Sequence, residues 1–206
     1  MVEIEFRDVS KSFIDKQSGE PRVAVSNVSL SIKKGEVVSL IGPSGCGKST
    51  LLNMGSGLYA PTSGEVFVKG KPVVGPVREV AFMLQKDLLM QWRTIRENVT
   101  IGLQISGMGR REREAIADKL LAQCHLAGFE NHYPHQLSGG MRQRAALART
   151  LAVDPQVMLL DEPFSALDAQ TKMILQQDLA ESLYENKRTA LFITHDLVEA
   201  VALSDR

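Results

Sequence analysis

Residues 42–50 read Gly42-Pro43-Ser44-Gly45-Cys46-Gly47-Lys48-Ser49-Thr50. This stretch fits G-x-x-x-x-G-K-[ST], the pattern of a phosphate-binding P-loop. An apolar, β-branched run at 36–41 precedes it, and good helix formers at 51–54 follow it. Because a strand, a glycine-rich loop and a helix in succession are the context that the motif requires, the sequence predicts an α/β fold around this loop.

The predicted loop has the chemistry of a polyphosphate site. Its glycines let the backbone wrap tightly and aim N–H groups inward, and the helix that follows adds its positive N-terminal end. Lys48 supplies a charge for the β- and γ-phosphates, and Ser49 supplies a hydroxyl ligand for Mg²⁺. The plainer alternative is a glycine-rich turn with an incidental lysine. We expect nucleotide contacts from the whole loop, that is from Gly42, Pro43, Ser44, Gly45, Cys46, Gly47, Lys48, Ser49 and Thr50.

The composition is ordinary for a globular protein. The 206 residues are 44% hydrophobic and 23% charged, with a formal net charge of zero, so charge gives no argument for nucleic acid or a membrane surface. No apolar run approaches the roughly 18 residues of a membrane span, and the N-terminus does not read as a signal peptide. We therefore expect a cytosolic chain that reaches a membrane only through a partner. Its two cysteines, Cys46 and Cys124, have no metal-ligand spacing.

Alternating patterns near the N-terminus predict an antiparallel sheet. Residues 2–6 and 28–32 alternate between apolar and polar side chains, as half-buried strands do. Further along, 60–64 reads as a turn and 65–69 as a strand. Phe13 precedes a turn-rich loop and is either a core or strand-end aromatic or a stacking surface for a purine ring.

Three later apolar runs each end in a polar side chain. These are the runs at 80–84, 157–160 and 189–194, followed by Gln85, by Asp161 and Glu162, and by His195. If the strands are parallel, all of these side chains emerge at the P-loop edge of the sheet. Asp161 can hold Mg²⁺, and Glu162 can orient and deprotonate a water. The alternatives are a cap for the turn at Pro163 and, for His195, a structural histidine.

The stretch from residue 86 to about 152 is helical in character. Residues 109–124 place apolar side chains on one face within a charge run that reads as a solvated surface. After residue 168 a second helix carries leucines at four-residue spacing, at 175, 179 and 183. His125, His132 and His135 match no common metal-site spacing.

A second helix start capable of binding anions lies at 137–140. Ser138 is a plausible N-cap, and Gly139 and Gly140 leave backbone N–H groups accessible. Taken alone this signal is moderate, because glycine near a cap also has a purely structural use.

The order of these motifs resembles that in the nucleotide-binding subunit of ABC transporters. The motifs are 42–50, Gln85, 137–140, 157–162 and His195. The likeness covers essentially the whole chain. It implies one domain over residues 1–206, with a P-loop NTPase (RecA-like) α/β core of mostly parallel sheet and an antiparallel β subdomain. The core and β subdomain would comprise 1–85 and 153–206, and a helical insert 86–152.

The resemblance also implies a role for each matching residue. ATP and Mg²⁺ are the expected cofactors, with Phe13 stacking on adenine and Ser49, Gln85 and Asp161 at the metal. The expected catalytic residues are Glu162 as the base, His195 as a switch at the γ-phosphate, Gln85 as a γ-phosphate sensor, and Lys48. Ser138, Gly139 and Gly140 would complete the ATP site of the opposite subunit.

The partners implied are a second ATPase subunit in a head-to-tail homodimer, integral membrane permease subunits and, indirectly, a solute-binding protein, with no nucleic acid. The chain would lie at the cytoplasmic face of the inner membrane, as a peripheral subunit. Residues 85–99 are similar to importers of the nitrate, sulfonate and taurine group. In this reading Leu88, Leu89, Met90 and Trp92 receive a helix of the permease; the alternative is that they pack the helical insert.

Two other classes compete with an importer ATPase. A soluble ABC-type ATPase acting on DNA would carry long coiled coils between the P-loop and residue 138, where no sustained heptads occur. A binding-only regulatory subunit would not need Glu162 and His195. Family members normally continue past residue 206 with a strand and helices, so the resemblance leads us to expect a shortened C-terminal end.

Overall fold

The computed structural model describes residues 1–16 and 18–206. Over these residues the chain forms eight strands, seven helices and one short 3₁₀ helix (Pro134–Gln136). The strands are β1 (Val2–Ile14), β2 (Pro21–Lys33), β3 (Val37–Leu40), β4 (Ser63–Val68), β5 (Lys71–Pro72), β6 (Val80–Met83), β7 (Val157–Asp161) and β8 (Thr189–Ile193). The helices are α1 (Lys48–Gly55), α2 (Ile95–Val99), α3 (Ile101–Ile105), α4 (Arg110–Gln123), α5 (Gly139–Ala152), α6 (Ala169–Glu185) and α7 (Leu197–Leu203).

A parallel sheet in the order β3-β8-β7-β6 forms the centre of the molecule. Every residue of β7 and β8 is buried, as expected for parallel strands covered on both faces. The register pairs Ile193 of β8 with Leu40 of β3 and with Asp161 of β7. The carboxyl ends of the strands therefore lie at one edge, where β3 leads into the P-loop.

The second sheet is antiparallel, in the order β2-β1-β4-β5, as the alternating patterns predicted. Its strands are longer than expected: β1 continues from Val2 to Ile14. The predicted turn at 60–64 is wrong at its end, because Ser63 already pairs with Ser10 of β1 and begins β4. Pairing with the long β1 supplies ladder hydrogen bonds that a sequence window cannot anticipate.

Three apolar clusters fill the interior. The first joins the two sheets and α1, and the second lies between the parallel sheet, α5 and α6. Leu175, Leu179 and Leu183 of α6 are all buried, which confirms the predicted leucine face. The third cluster is built by residues 89–152.

Helix α5 contributes to both of the last two clusters, with Ala146 and Leu147 on one side and Ala145 and Ala148 on the other. It therefore joins the helical part of the chain to the sheet. Over residues 1–16 and 18–206, none of the helices combines the length and apolar character that crossing a membrane requires.

Candidate active site

Polar side chains from three strand ends meet beside the P-loop. Gln85 follows β6, Glu162 follows β7 and His195 follows β8. The Gln85 Nε2 donates a hydrogen bond to the Glu162 Oε2 over 3.0 Å, and the His195 Nδ1 lies 3.8 Å from the same oxygen. The structure thus brings together the side chains that the strand pattern placed at one edge.

The P-loop leaves its N–H groups available to an anion. Gly47, the N-cap of α1, has φ +98°, and among the described residues no side chain caps this helix. A Cβ at Gly47 would lie 2.3 Å from the Ala24 carbonyl oxygen, so only glycine fits there. The first turn of α1 contains no acidic residue. The backbone N–H groups at the start of α1 can therefore donate to an anion, and the positive end of the helix dipole favours negative charge there.

The Lys48 ammonium bridges the mouth of the loop. Its Nζ donates to the carbonyl oxygens of Gly42 and Pro43 over 2.7 Å and 2.8 Å and lies 3.6 Å from the Cys46 Sγ. The charge is therefore held next to the predicted phosphate position by loop carbonyls. The Cys46 thiol is exposed on the same loop.

Asp161 and Ser49 offer two neighbouring oxygen ligands for a metal ion. The Asp161 side chain is buried, and burial raises the pKa of its carboxyl, an effect that the Ser49 hydroxyl partly offsets through a hydrogen bond. A hydroxyl and a carboxylate fit Mg²⁺, which prefers oxygen ligands. In residues 1–16 and 18–206, no group of three or more His, Cys, Asp and Glu side chains is placed to hold a metal by itself. Phosphate oxygens and water would have to complete the coordination.

Glu162 has a strained backbone. Its φ is +49°, in the left-handed region that side chains other than glycine rarely adopt. Its N–H donates to the Ile193 carbonyl over 3.0 Å, which ties it to β8. Its side chain is mostly buried and accepts the Gln85 hydrogen bond. Nothing in the local sequence indicated this conformation.

The turn that carries His195 is held by ion pairs. Asp196 caps α7 by accepting from the Val198 N–H over 2.8 Å. The Lys172 ammonium hydrogen-bonds to Asp196 over 2.6 Å and keeps the pKa of that carboxyl below its ordinary value. Lys172 also lies 2.5 Å from Glu199. His195 itself is exposed, so the neighbouring residues fix its backbone and leave its ring free to contact a ligand.

A helix, α5, begins at the second predicted helix start. The Ser138 Oγ accepts from the Met141 N–H over 3.2 Å, as an N-cap does, and the helix begins at Gly139. Gly140 packs closely on the loop after Glu162: an added Cβ would lie 3.1 Å from the Ala166 carbonyl oxygen. Within the described residues, no hydrogen bond joins 138–140 to the P-loop. The two helix starts lie on different elements, α1 and α5.

Sequence reasoning missed Gln143, which contacts the loop that carries Glu162. Its side chain is only 5% exposed and hydrogen-bonds to Glu162, Ser165 and Ala166. The available signal was a glutamine four residues before Leu147, on the apolar face of α5. A polar side chain at such a position needs buried partners.

Phe13 lies on the surface at the end of β1. The residue is 39% exposed, which excludes a core aromatic. Tyr59 supports it edge-on, with ring centroids 5.6 Å apart, and the Lys11 Nζ lies 5.3 Å from the Phe13 centroid. An exposed face of a braced aromatic ring is available for stacking.

The predicted apolar groove at 88–92 is only partly present. Leu89 is buried in the helical cluster, so its assignment to a docking surface is wrong and the packing alternative holds for it. Trp92 is 76% exposed and Leu88 is exposed as well. The backbone is held by Asn98, which exchanges hydrogen bonds with Met90 over 2.7 Å and 3.1 Å. The segment therefore presents two large side chains on a fixed backbone.

Comparisons with known proteins agree on one family. The family model described as ABC transporter matches residues 25–165. An uncharacterized ABC transporter ATP-binding protein of Methanocaldococcus jannaschii is 46% identical over 205 residues, which cover 100% of this chain and 76% of that protein. A taurine import ATP-binding protein of Yersinia pestis (strain Antiqua) is 47% identical over 186 residues, covering 90% and 72%.

A solved structure gives the same result for the fold. It is a dimeric post-hydrolysis state of an ATP-binding cassette bound to ADP and Pi, and it is 36% identical with a TM-score of 0.91. The match covers 97% of this chain and 90% of the other. Together with the two sheets, this confirms the predicted P-loop fold.

Proposed function

The chain belongs to the ABC transporter family and is an ATPase, and from this premise we propose that it powers import of a small solute across the cytoplasmic membrane. The drive would be ATP-dependent, head-to-tail pairing of two copies. One observation carries the proposal: Gln85 and Glu162 are hydrogen-bonded at the strand ends beside the P-loop, whereas the helix start at 138–140 lies on another element, α5.

In this proposal the nucleotide lies along the carboxyl edge of the parallel sheet. Phe13 stacks on the adenine, the N–H groups of 42–50 hold the phosphates, and Lys48 exchanges its loop carbonyls for phosphate oxygens. Ser49, Asp161 and Gln85 would hold Mg²⁺. When bound, that ion would neutralise charge on the β- and γ-phosphate oxygens.

Hydrolysis would depend on Glu162. Its carboxylate accepts a proton from a water as that water attacks the γ-phosphorus, while the bond to the bridging oxygen breaks and ADP leaves with the electron pair. Gln85 already touches Glu162, and His195 lies 3.8 Å from it, so both can reach the same γ-phosphate.

The second copy would close the site. Ser138, Gly139 and Gly140 of one subunit would place their helix end against the γ-phosphate held by the other, where the dipole favours negative charge. The dimeric arrangement of the related cassette supports this pairing. ATP would then hold the dimer together, and its hydrolysis would release it.

A membrane subunit would dock on the helical unit of residues 86–152. Leu88 and Trp92 are exposed large apolar side chains on a fixed backbone, which suits a groove or end of a permease helix. The chain would thus be peripheral at the cytoplasmic face of the membrane, with a solute-binding protein acting from the other side. The similarity to a taurine import protein supports a cargo in the nitrate, sulfonate and taurine group.

The DNA-acting alternative has no support in the helices. The longest helix between the P-loop and residue 138 is α4, with 14 residues, too short for an extended coiled coil. Co-purification from membranes with a stoichiometric hydrophobic subunit would support the transporter proposal, and recovery with DNA would overturn it.

The assignment of the base is tested by Glu162→Gln. We expect turnover to fall by about 10²- to 10⁴-fold while ATP affinity stays unchanged, because the amide keeps its shape and cannot take the proton. The variant should then accumulate an ATP-bound dimer in light scattering. Glu112→Gln, an exposed change in the first turn of α4, is the control. Unchanged turnover in Glu162→Gln would contradict the role of this residue.

A further inference from the structure

We propose that Gln143 is a positioning residue for ATP hydrolysis: its buried amide holds the backbone of Glu162 and links the start of α5 to the base in the same chain. The inference rests on the proposed role of Glu162 as the base. It assigns a function to a side chain whose hydrogen bonds go to Glu162, Ser165 and Ala166.

The amide of Gln143 is fully matched to its partners. Its Nε2 donates to the Glu162 carbonyl over 2.9 Å and to the Ser165 Oγ over 3.2 Å, and its Oε1 accepts from the Ala166 N–H over 2.8 Å. A flipped amide would set its NH₂ against the Ala166 N–H and its oxygen against the Glu162 carbonyl. The surroundings therefore fix a single orientation of this buried side chain.

The three contacts fall where the backbone is strained. Glu162 has φ +49°, and such a conformation persists only where neighbouring groups determine it. Ile193 accepts from the Glu162 N–H on one side, and the Glu162 carbonyl accepts from Gln143 and from the Ser165 hydroxyl, the latter over 3.1 Å. Gln143 is the contact that comes from outside the two central strands and their turn. Without it the Glu162 carbonyl loses this link to α5, and the carboxylate shifts with the backbone.

The position of Gln143 gives the contact a second consequence. It lies one turn into the helix that begins at Gly139, and Gly140 packs on the Ala166 carbonyl. The helix end proposed to meet the partner's nucleotide is thus joined, by the amide and by close packing, to the loop of its own Glu162. A displacement of α5 must move that loop. Nucleotide bound at the partner's ATP site would therefore affect the position of Glu162 at the chain's own ATP site.

Two substitutions of Gln143 and a matched control test the idea. Gln143→Met keeps the length and removes all three hydrogen bonds, whereas Gln143→Glu keeps the acceptor for Ala166 and loses the donors. The control is Thr150→Val: Thr150 is also in α5, is also 5% exposed, and donates only within the helix, to the Ala146 carbonyl. The measurements are kcat and KM for ATP, binding of a fluorescent ATP analogue and the melting temperature, on the full chain.

We expect Gln143→Met and Gln143→Glu to lower kcat by about 10- to 100-fold, the size of effect that a displacement of roughly 1 Å produces, with KM and analogue affinity within twofold of wild type. Thr150→Val should lower the melting temperature and leave kcat unchanged. A kcat within twofold of wild type in both Gln143 variants would overturn the proposal, as would a loss of kcat in Thr150→Val matching theirs. If Gln143→Met does not fold, Gln143→Glu decides by the same criterion, because it also removes both bonds that the Gln143 amide donates to the loop.

The double variant Gln143→Met with Glu162→Gln separates this inference from the proposed function. If Gln143 acts through Glu162, the double variant turns over no more slowly than Glu162→Gln alone, and a further multiplicative fall would overturn the inference. If Glu162→Gln retains turnover, the assignment of the base is what fails. If Glu162→Gln is inactive and Gln143→Met is fully active, only the positioning role fails.

Discussion

The pair Gly47→Ala and Gly45→Ala tests whether the P-loop is shaped by its contact with the antiparallel sheet. Both residues have positive φ, +98° and +81°, so alanine at either position is strained by about 1–2 kcal/mol. Only at Gly47 would the new Cβ meet an obstacle, the Ala24 carbonyl oxygen at 2.3 Å. Among the described residues no atom lies within 4 Å of a Cβ at Gly45.

The steric overlap at Gly47 adds about 1–3 kcal/mol, the usual cost of overpacking. The expected loss in free energy of unfolding is therefore about 2–5 kcal/mol for Gly47→Ala and about 1–2 kcal/mol for Gly45→Ala. With a urea m-value of about 3 kcal/mol/M, the midpoint falls by about 0.7–1.7 M and 0.3–0.7 M respectively. Urea unfolding followed by circular dichroism without nucleotide measures both shifts. Equal shifts would refute the contact argument.

Two further predictions concern side chains that line the proposed nucleotide site. N-ethylmaleimide should alkylate Cys46, which is exposed on the P-loop, and ATP should protect it; Cys124 should not react, because burial raises the pKa of its thiol to about 12. Mass spectrometry locates the adduct, and equal labelling of Cys46 with and without ATP would contradict the prediction. Phe13→Ala should weaken ATP binding by about 5- to 150-fold, the value of 1–3 kcal/mol of stacking, while Phe13→Tyr keeps the affinity. Because the ring is partly exposed, the melting temperature of either variant should change little, and unchanged ATP affinity in Phe13→Ala would exclude stacking.

The arrangement of the strand ends could be predicted from the sequence, and the reason is topological. A buried run followed by a polar residue signals a strand end, and parallel pairing places all such ends at one edge. The residues Gln85, Glu162 and His195 are far apart in the sequence. The pattern of polar residues after buried runs nevertheless predicted that they lie at one edge of the sheet. Pairing partners decide strand length, however, so the extension of β1 to Ile14 and of β4 to Ser63 could not be seen in local windows.

What the sequence could not reveal depends on how individual side chains are buried. Leu88 and Leu89 are adjacent and chemically identical, yet one is exposed and the other buried. The segment that carries them is neither helix nor strand, so no periodicity assigns their faces. The left-handed backbone of Glu162 is likewise set by two tertiary hydrogen bonds: its N–H donates to the Ile193 carbonyl, and its carbonyl accepts from Gln143.

Helix α5 connects both sides of the proposed γ-phosphate site. On one side the segment after Gln85 is bonded to it: Asp87 accepts from the Arg142 side chain over 3.0 Å, and the Asp87 carbonyl accepts from Arg149 over 2.6 Å. On the other side Gln143 holds the loop after Glu162. These bonds give the helix two fixed attachments.

A γ-phosphate at the P-loop competes for groups that already have partners. Lys48 donates to two loop carbonyls, and Gln85 donates to Glu162. Charge-assisted bonds to phosphate are about twice as strong as bonds to neutral carbonyls, so the exchange at Lys48 is favourable. If Gln85 turns from Glu162 to the nucleotide, as proposed, it would free the carboxylate and pull on a segment that is bonded to α5. The exchange that would uncover the proposed base would therefore also act on α5, whose first turn is proposed to meet the partner. Readiness for hydrolysis would in this way be coupled to pairing.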